Sequence, residues 1–125
     1  MLAGIGACGH AEMVVTEADT ALALTTGDVP VLATPRLVQL CEEASVAAVG
    51  PMSSGETTVG LRVEITHLAP IAVGTKVVAT ATLERTEGRK RLVFSASVND
   101  ARGLVAAGRV TRVLVDTAAF LEKAR

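Results

Sequence analysis

The apolar positions of the chain change their period once, near residue 56. From Val31 to Val49 (VLATPRLVQLCEEASVAAV) they recur with the period of a helix. At about 100° per residue, Leu37, Val38, Cys41, Ala44, Ser45, Ala48 and Val49 gather on one side, and Arg36, Gln39 and Glu43 on the other. One amphipathic helix is predicted. Thr34 and Pro35 form its start signal, the threonine as a cap for free backbone N–H groups and the proline at the first helical position. Gly50-Pro51 ends it. From Thr57 the period is two: Val59, Leu61, Val63 and Ile65 alternate with Gly60, Arg62, Glu64 and Thr66. Val77, Ala79, Ala81 and Leu83 repeat the alternation, as do Leu92, Phe94, Ala96 and Val98, and Leu104–Val115 reads as one long strand.

The punctuation between these runs is short. Pro70 and Gly74 mark one turn, Glu87-Gly88-Arg89 a hairpin, and Asn99–Gly103 another. Asp116–Arg125 reads as a closing helix with Asp116 or Thr117 as its cap. Upstream of the main helix the pattern is less decided. Ala11–Leu24 offers strand character at Met13–Val15 and a turn of helix at Thr16–Asp19, and Thr25–Pro30 is a loop. Met1–His10, rich in Gly and Ala, is expected to be a flexible N-terminus, with a single domain over 11–125. The order is a strand, a long helix, then four strands joined by tight turns. That is an α+β domain, an antiparallel curved β-sheet wrapped around one long central helix. Its open sheet edges predict a homodimer or a dimer of dimers.

Composition narrows the function. Half of the 125 residues are apolar, yet the aromatics are two phenylalanines, Phe94 and Phe120, and the net charge is −1. A chain without stacking side chains or excess positive charge is a poor nucleic-acid binder, and no nucleic-acid partner is expected. No apolar run nears the roughly 20 residues that span a bilayer, and Met1–Ala7 lacks the basic start of a signal peptide, so a cytoplasmic protein with no membrane partner is expected. Cys8 and Cys41 do not make a disulfide framework, and Cys8-Gly9-His10 has no second ligand cluster to complete a metal site, so no metal is expected.

The helical wheel separates two adjacent acids. Glu43 shares the polar side with Arg36 and Gln39. Glu42 falls at the edge of the apolar stripe beside Val38, Ser45 and Val49, where partial desolvation makes a carboxylate a candidate base, nucleophile or orienter. His67 closes the strand that ends at Thr66 and is the second candidate, as a structural hydrogen-bonder or as a catalyst. Thr34 is either a plain helix cap or a reactive hydroxyl.

Several segments are similar to the hotdog-fold acyl-CoA thioesterases, in particular the branch of the fluoroacetyl-CoA thioesterases. They are ATPRLVQLCEEA at the helix start, TTVGLRVEITHLAP across the following strand, and VGTKVVATATL with EGRKRLVFSASVND. The resemblance spans roughly Ala11 to Phe120. It implies a hotdog fold and hydrolysis of an acyl-CoA thioester, with no cofactor beyond the coenzyme A of the substrate. It also implies catalytic roles for Thr34, Glu42 and His67, with Gly60 approaching the substrate. Both an acyl-enzyme and an activated water stay open. Eight residues of helix advance about 12 Å, so Thr34 and Glu42 cannot touch. Either His67 and substrate lie between them, or a partner subunit completes the pocket.

The fluoroacetyl-specific members carry an aromatic gate before the central helix. Here Thr25–Ala33 contains no phenylalanine, and Val29, Val31 and Leu32 supply the apolar contacts. A general short-chain acyl-CoA, or a related acyl thioester, is therefore the expected substrate. Val31 and Leu32 are candidate substrate contacts. Arg91, in the basic hairpin with Arg85, Arg89 and Lys90, is a candidate for the nucleotide phosphate as well as an ordinary solvated turn residue. Two other functions compete. A hotdog enoyl-CoA hydratase would need an Asp five residues before a His, and neither His10 nor His67 has one. A non-enzymatic acyl-CoA-binding module would use the same pocket without turnover.

Overall fold

A computed structural model describes residues 4–125. The strands are β1 (Cys8–Val14), β2 (Glu56–His67), β3 (Lys76–Glu87), β4 (Arg91–Asp100) and β5 (Gly103–Asp116), and the helices are α1 (Thr34–Val49) and α2 (Thr117–Lys123). All pairings are antiparallel, in the order β1-β3-β4-β5-β2, so β1 and β2 are the edges. The sheet curls around α1. The core between them is built from α1 residues Leu37, Leu40, Cys41 and Ala44 and from the inward positions of β3 and β4. Truncating a fully buried leucine such as Leu37 to alanine is expected to cost about 2–5 kcal/mol.

Periodicity located most of this. Val77, Ala79, Ala81 and Leu83 of β3 and Leu92, Phe94, Ala96 and Val98 of β4 are all buried. On α1 the buried stripe is Leu37, Leu40, Cys41, Ala44, Ser45, Ala48 and Val49. Leu40 belongs to it, whereas Val38 is only half-buried.

Three expectations are corrected. The boundary placed between residues 10 and 11 falls inside β1, which pairs with β3 from Cys8↔Thr82 to Val14↔Lys76. Met1–Ala3 lie outside the described residues. The small residues that suggested a loose end have a packing role at Gly9, where a Cβ would collide with the backbone of Ala44 and Ala48 as β1 crosses α1. In β2 the register slips between Gly60 and Arg62, so Leu61 is the extra residue of a bulge and is exposed. The bulge changes which residues face the helix: Gly60 before it and Val63 and Ile65 after it point inward, and Val59–Ile65 is not one unbroken alternation.

The third correction concerns the start of α1. Ala33, not Thr34, holds the cap position, and the Thr34 side chain makes no cap hydrogen bond. The N–H groups of Arg36 and Leu37 both donate to the Ala33 carbonyl, and Pro35 has no N–H. The first turn is therefore closed on itself, and the Thr34 hydroxyl is released for another partner. At α2, Asp116 sits at the cap position without a side-chain bond, and the N–H of Thr117 donates to Gly55 O at 2.9 Å.

Candidate active site

The segment that leads into α1 is held from both sides. Ala33 N donates to Asp19 O at 2.9 Å, Ala21 N to Val31 O at 2.9 Å, and Leu32 N to Ile71 O at 2.8 Å. A 3-10 turn, Glu17–Asp19, supplies the first anchor, and the loop after β2 supplies the last. Arg36 on the first turn of α1 adds an ion pair to Asp19 at 3.3 Å. These bonds fix where α1 begins and therefore where Thr34 points.

Thr34 Oγ1 lies 3.1 Å from His67 Nδ1. His67 is the last residue of β2, and its Nε2 is buried without a hydrogen-bond partner among the described residues. The two side chains open into a shallow depression of about 310 Å³ whose other walls are Leu68, Ala69 and Pro70. A hydroxyl beside an imidazole is a nucleophile–base pair: the threonine O–H can donate to Nδ1, and the imidazole can take that proton.

Glu42 belongs to a second cluster, further along α1. Its carboxylate lies 3.6 Å from Arg112 Nη1 of β5. Arg112 is buried, and two more of its donors go to Thr58 of β2: Nε to Oγ1 at 3.0 Å and Nη2 to the carbonyl at 3.1 Å. Burial pulls the Arg112 pKa below the ordinary guanidinium value, and the negative charge of Glu42 opposes that shift. Gly60 leaves the space Glu42 occupies, since a Cβ there would fall on Glu42 Oε2 and lie 3.8 Å from Arg112 Nη1. The wheel's choice between the two acids agrees with this geometry. Glu43 faces outward, accepting from Gln39 Nε2 at 3.1 Å and lying 3.9 Å from Arg36 Nη1.

The candidate residues thus divide. Thr34 and His67 come together, and Glu42 and Gly60 come together, but the regular helix keeps the two pairs apart. Val31 is half-buried in a bridge to Ala72. Leu32 is only 1% exposed and belongs to the core, where it supports the start of α1 from behind. Arg91 is exposed on the outer face of the sheet, in a groove with Leu61, Arg85, Val93 and Arg109, while its neighbour Leu92 faces α1. Sequence reasoning missed Arg112 and Thr58. The signal for Arg112 was its parity with the buried Ala106 and Val110, which marks it as a charge on the inward face of β5 and in need of a partner.

The family model of the fluoroacetyl-CoA-specific thioesterases, FlK, matches residues 15–118. The chain belongs to this family. Fluoroacetyl-CoA thioesterase of Streptantibioticus cattleyicolor is 34% identical over 96 residues, covering 76% of this chain and 68% of that protein. A structure of the fluoroacetyl-CoA thioesterase FlK superposes with a TM-score of 0.89 at 29% identity, over 98% of this chain and 95% of that one. A thioesterase-superfamily protein of Thermus thermophilus gives a TM-score of 0.89 at 30% identity, over 98% and 90% of the two chains. The curled five-stranded sheet with its helix is accordingly a hotdog fold, and the family's reaction class, hydrolysis of an acyl-CoA thioester, is the one the sequence motifs implied. No helix among the described residues is long and apolar enough to cross a membrane.

Proposed function

We propose that the chain is a homodimeric, cytoplasmic thioesterase that hydrolyses a short-chain acyl-CoA with Thr34, His67 and Glu42. The observation that carries this reading is the Thr34–His67 hydrogen bond at the mouth of a depression, with the second ring nitrogen of His67 unpartnered among the described residues. The reaction adds water across the thioester: the C–S bond breaks, the acyl carbon gains a hydroxyl, and the thiolate of coenzyme A leaves with a proton. His67 takes a proton from Thr34, or from a water in its place, and returns it to the leaving sulfur. Glu42, held by Arg112, orients or activates the water that completes the hydrolysis. No cofactor enters; coenzyme A is the leaving group. The two free thiols, Cys8 and Cys41, suit a reducing compartment.

A dimer closes the gap between the two clusters. The edge of β2 is free, and the bulge at Leu61 puts Gly60 and His67 on the same face although they are seven residues apart. Antiparallel pairing of two β2 edges would bring Gly60, with Glu42 behind it, toward the partner subunit's His67. The start of α1, whose first N–H groups go to Ala33, contributes less to polarising the carbonyl than a free helix end would. The loop Thr25–Ala33, which offers Val29 and Val31 but no phenylalanine, favours a general short-chain acyl group over fluoroacetyl.

The test is free-thiol release from acyl-CoAs of increasing chain length, beside Glu42→Gln. Hydrolysis that peaks at one chain length and falls about 10²-fold or more in the variant is the expected result. A rise in Tm with acyl-CoA but no thiol release would instead make the protein a binding module.

A further inference from the structure

The two cysteines of the chain sit in opposite surroundings. Cys41 is buried on α1, where burial, reinforced by the charge of Glu42, pushes its thiol up to about 11. Cys8 is exposed on edge strand β1, on the sheet face turned away from α1, as its neighbour Gly9 presses against the helix backbone. His10 is two residues on and shares that outer face. Its Nε2 lies 3.8 Å from Cys8 Sγ. The cross-strand partners of both residues are threonines of β3, Thr82 opposite Cys8 and Thr80 opposite His10.

Those threonines complete an arrangement of nucleophile, base and orienting groups. His10 Nδ1 is 3.1 Å from Thr80 Oγ1, and the Thr82 hydroxyl donates to Cys8 Sγ at 3.7 Å. When Nδ1–H donates to Thr80, Nε2 carries the free lone pair and faces the thiol. The carboxylate on the same face of β1, Glu12, is engaged by Lys76 at 3.4 Å, which leaves His10 to the thiol. No group of three or more His, Cys, Asp or Glu side chains converges among the described residues, so the pair is better suited to thiol chemistry than to holding a metal.

We propose that Cys8 is a thiol-exchange site at which a low-molecular-weight disulfide forms a mixed disulfide with the protein, with His10 as the proton carrier. Cys8 passes its proton to His10 Nε2, and the sulfur attacks one sulfur of the small disulfide RS–SR. That S–S bond breaks, the Cys8–S–S–R bond forms, and the leaving thiolate takes the proton from the imidazolium to depart as RSH. One disulfide and one thiol are consumed and one of each is formed. Among the described residues β1 is an edge of the sheet and Cys8 is exposed, which opens the sulfur to the disulfide.

The experiment incubates the full chain with oxidised glutathione and, separately, with coenzyme A disulfide, and follows the adduct by intact mass and peptide mapping. The expected result is one adduct, on Cys8, with Cys41 unmodified while the protein stays folded. Cys8→Ser abolishes it, and His10→Asn, at an exposed position, slows its formation by at least about tenfold. An unchanged rate in His10→Asn, or an adduct on Cys41, would overturn the proposal. Loss of thioester hydrolysis in Cys8→Ser would also overturn it, by moving the thiol into the hydrolytic site.

Discussion

The two halves of the candidate site solve opposite problems. At the start of α1, Thr34 and His67 are joined by one hydrogen bond and keep spare capacity: a ring nitrogen unpartnered among the described residues and an adjoining depression. Two turns later, Glu42 and Arg112 form an ion pair in which the guanidinium is committed, by its other donors, to Thr58. The first half is under-bonded and suits proton transfer. The second is tied by an ion pair and two hydrogen bonds and suits holding a charge in place.

The contrast can be broken from either side. The largest effect is expected from Thr34→Val, which keeps the shape and removes the hydroxyl: activity should fall by about 10²-fold or more. Because Thr34 does not cap α1, stability should change by less than the ~1 kcal/mol a lost cap costs. Thr34→Ser should retain both activity and Tm. A large fall in Tm with Thr34→Val would restore the capping role and weaken the catalytic one.

Gly60→Ala comes next. Its methyl group takes the place of the Glu42 carboxylate, so kcat should drop by about tenfold or more while KM moves little. Steady-state kinetics on the preferred substrate decide it, with Glu43→Gln as the control expected to be near wild type. Arg112→Gln removes the cation and leaves Glu42 without its partner. Since Glu42 is 37% exposed, the loss of stability should be about 2 kcal/mol, less than for a fully buried pair. Denaturant titration measures it, and no change would show that the ion pair contributes nothing to the fold.

The smallest effect concerns acid stability. Burial alone would raise the pKa of Asp19, but hydrogen bonds from the Thr16 N–H and hydroxyl and the charge of Arg36 hold it below 3.8. A carboxyl depressed in the folded state contributes stability that is present above its unfolded pKa and lost as pH falls through the folded value. The anchor of the α1 start should therefore loosen below about pH 4. Asp19→Asn should lower Tm at neutral pH and flatten its decline between pH 5 and 3; an unchanged slope would remove Asp19 from the acid transition.

Much of the fold was legible because it rests on local periodicity. The helix stripe, the inward alternation of β3 and β4, and the preference for Glu42 over Glu43 all follow from residues within a few positions of one another. What stayed open locally stayed open for one kind of reason. Threonine before proline allows both a cap and a reactive hydroxyl, and a histidine from the end of another strand engages the hydroxyl. Arg91 has two readings in the sequence, a phosphate contact and a solvated turn residue, and the structure places it on the sheet face opposite Leu92.

By itself the sequence determined the order of the elements, the hotdog class and the identity of Thr34, Glu42 and His67 as the candidate chemistry, because period and family motifs are properties of short segments. The tertiary structure alone decided the bulge at Leu61, the Arg112–Glu42 pair and the Thr34–His67 bond. Each depends on the register between strands or on the position of a helix against a sheet. Those are set by side chains far apart in the chain that meet only when the core closes.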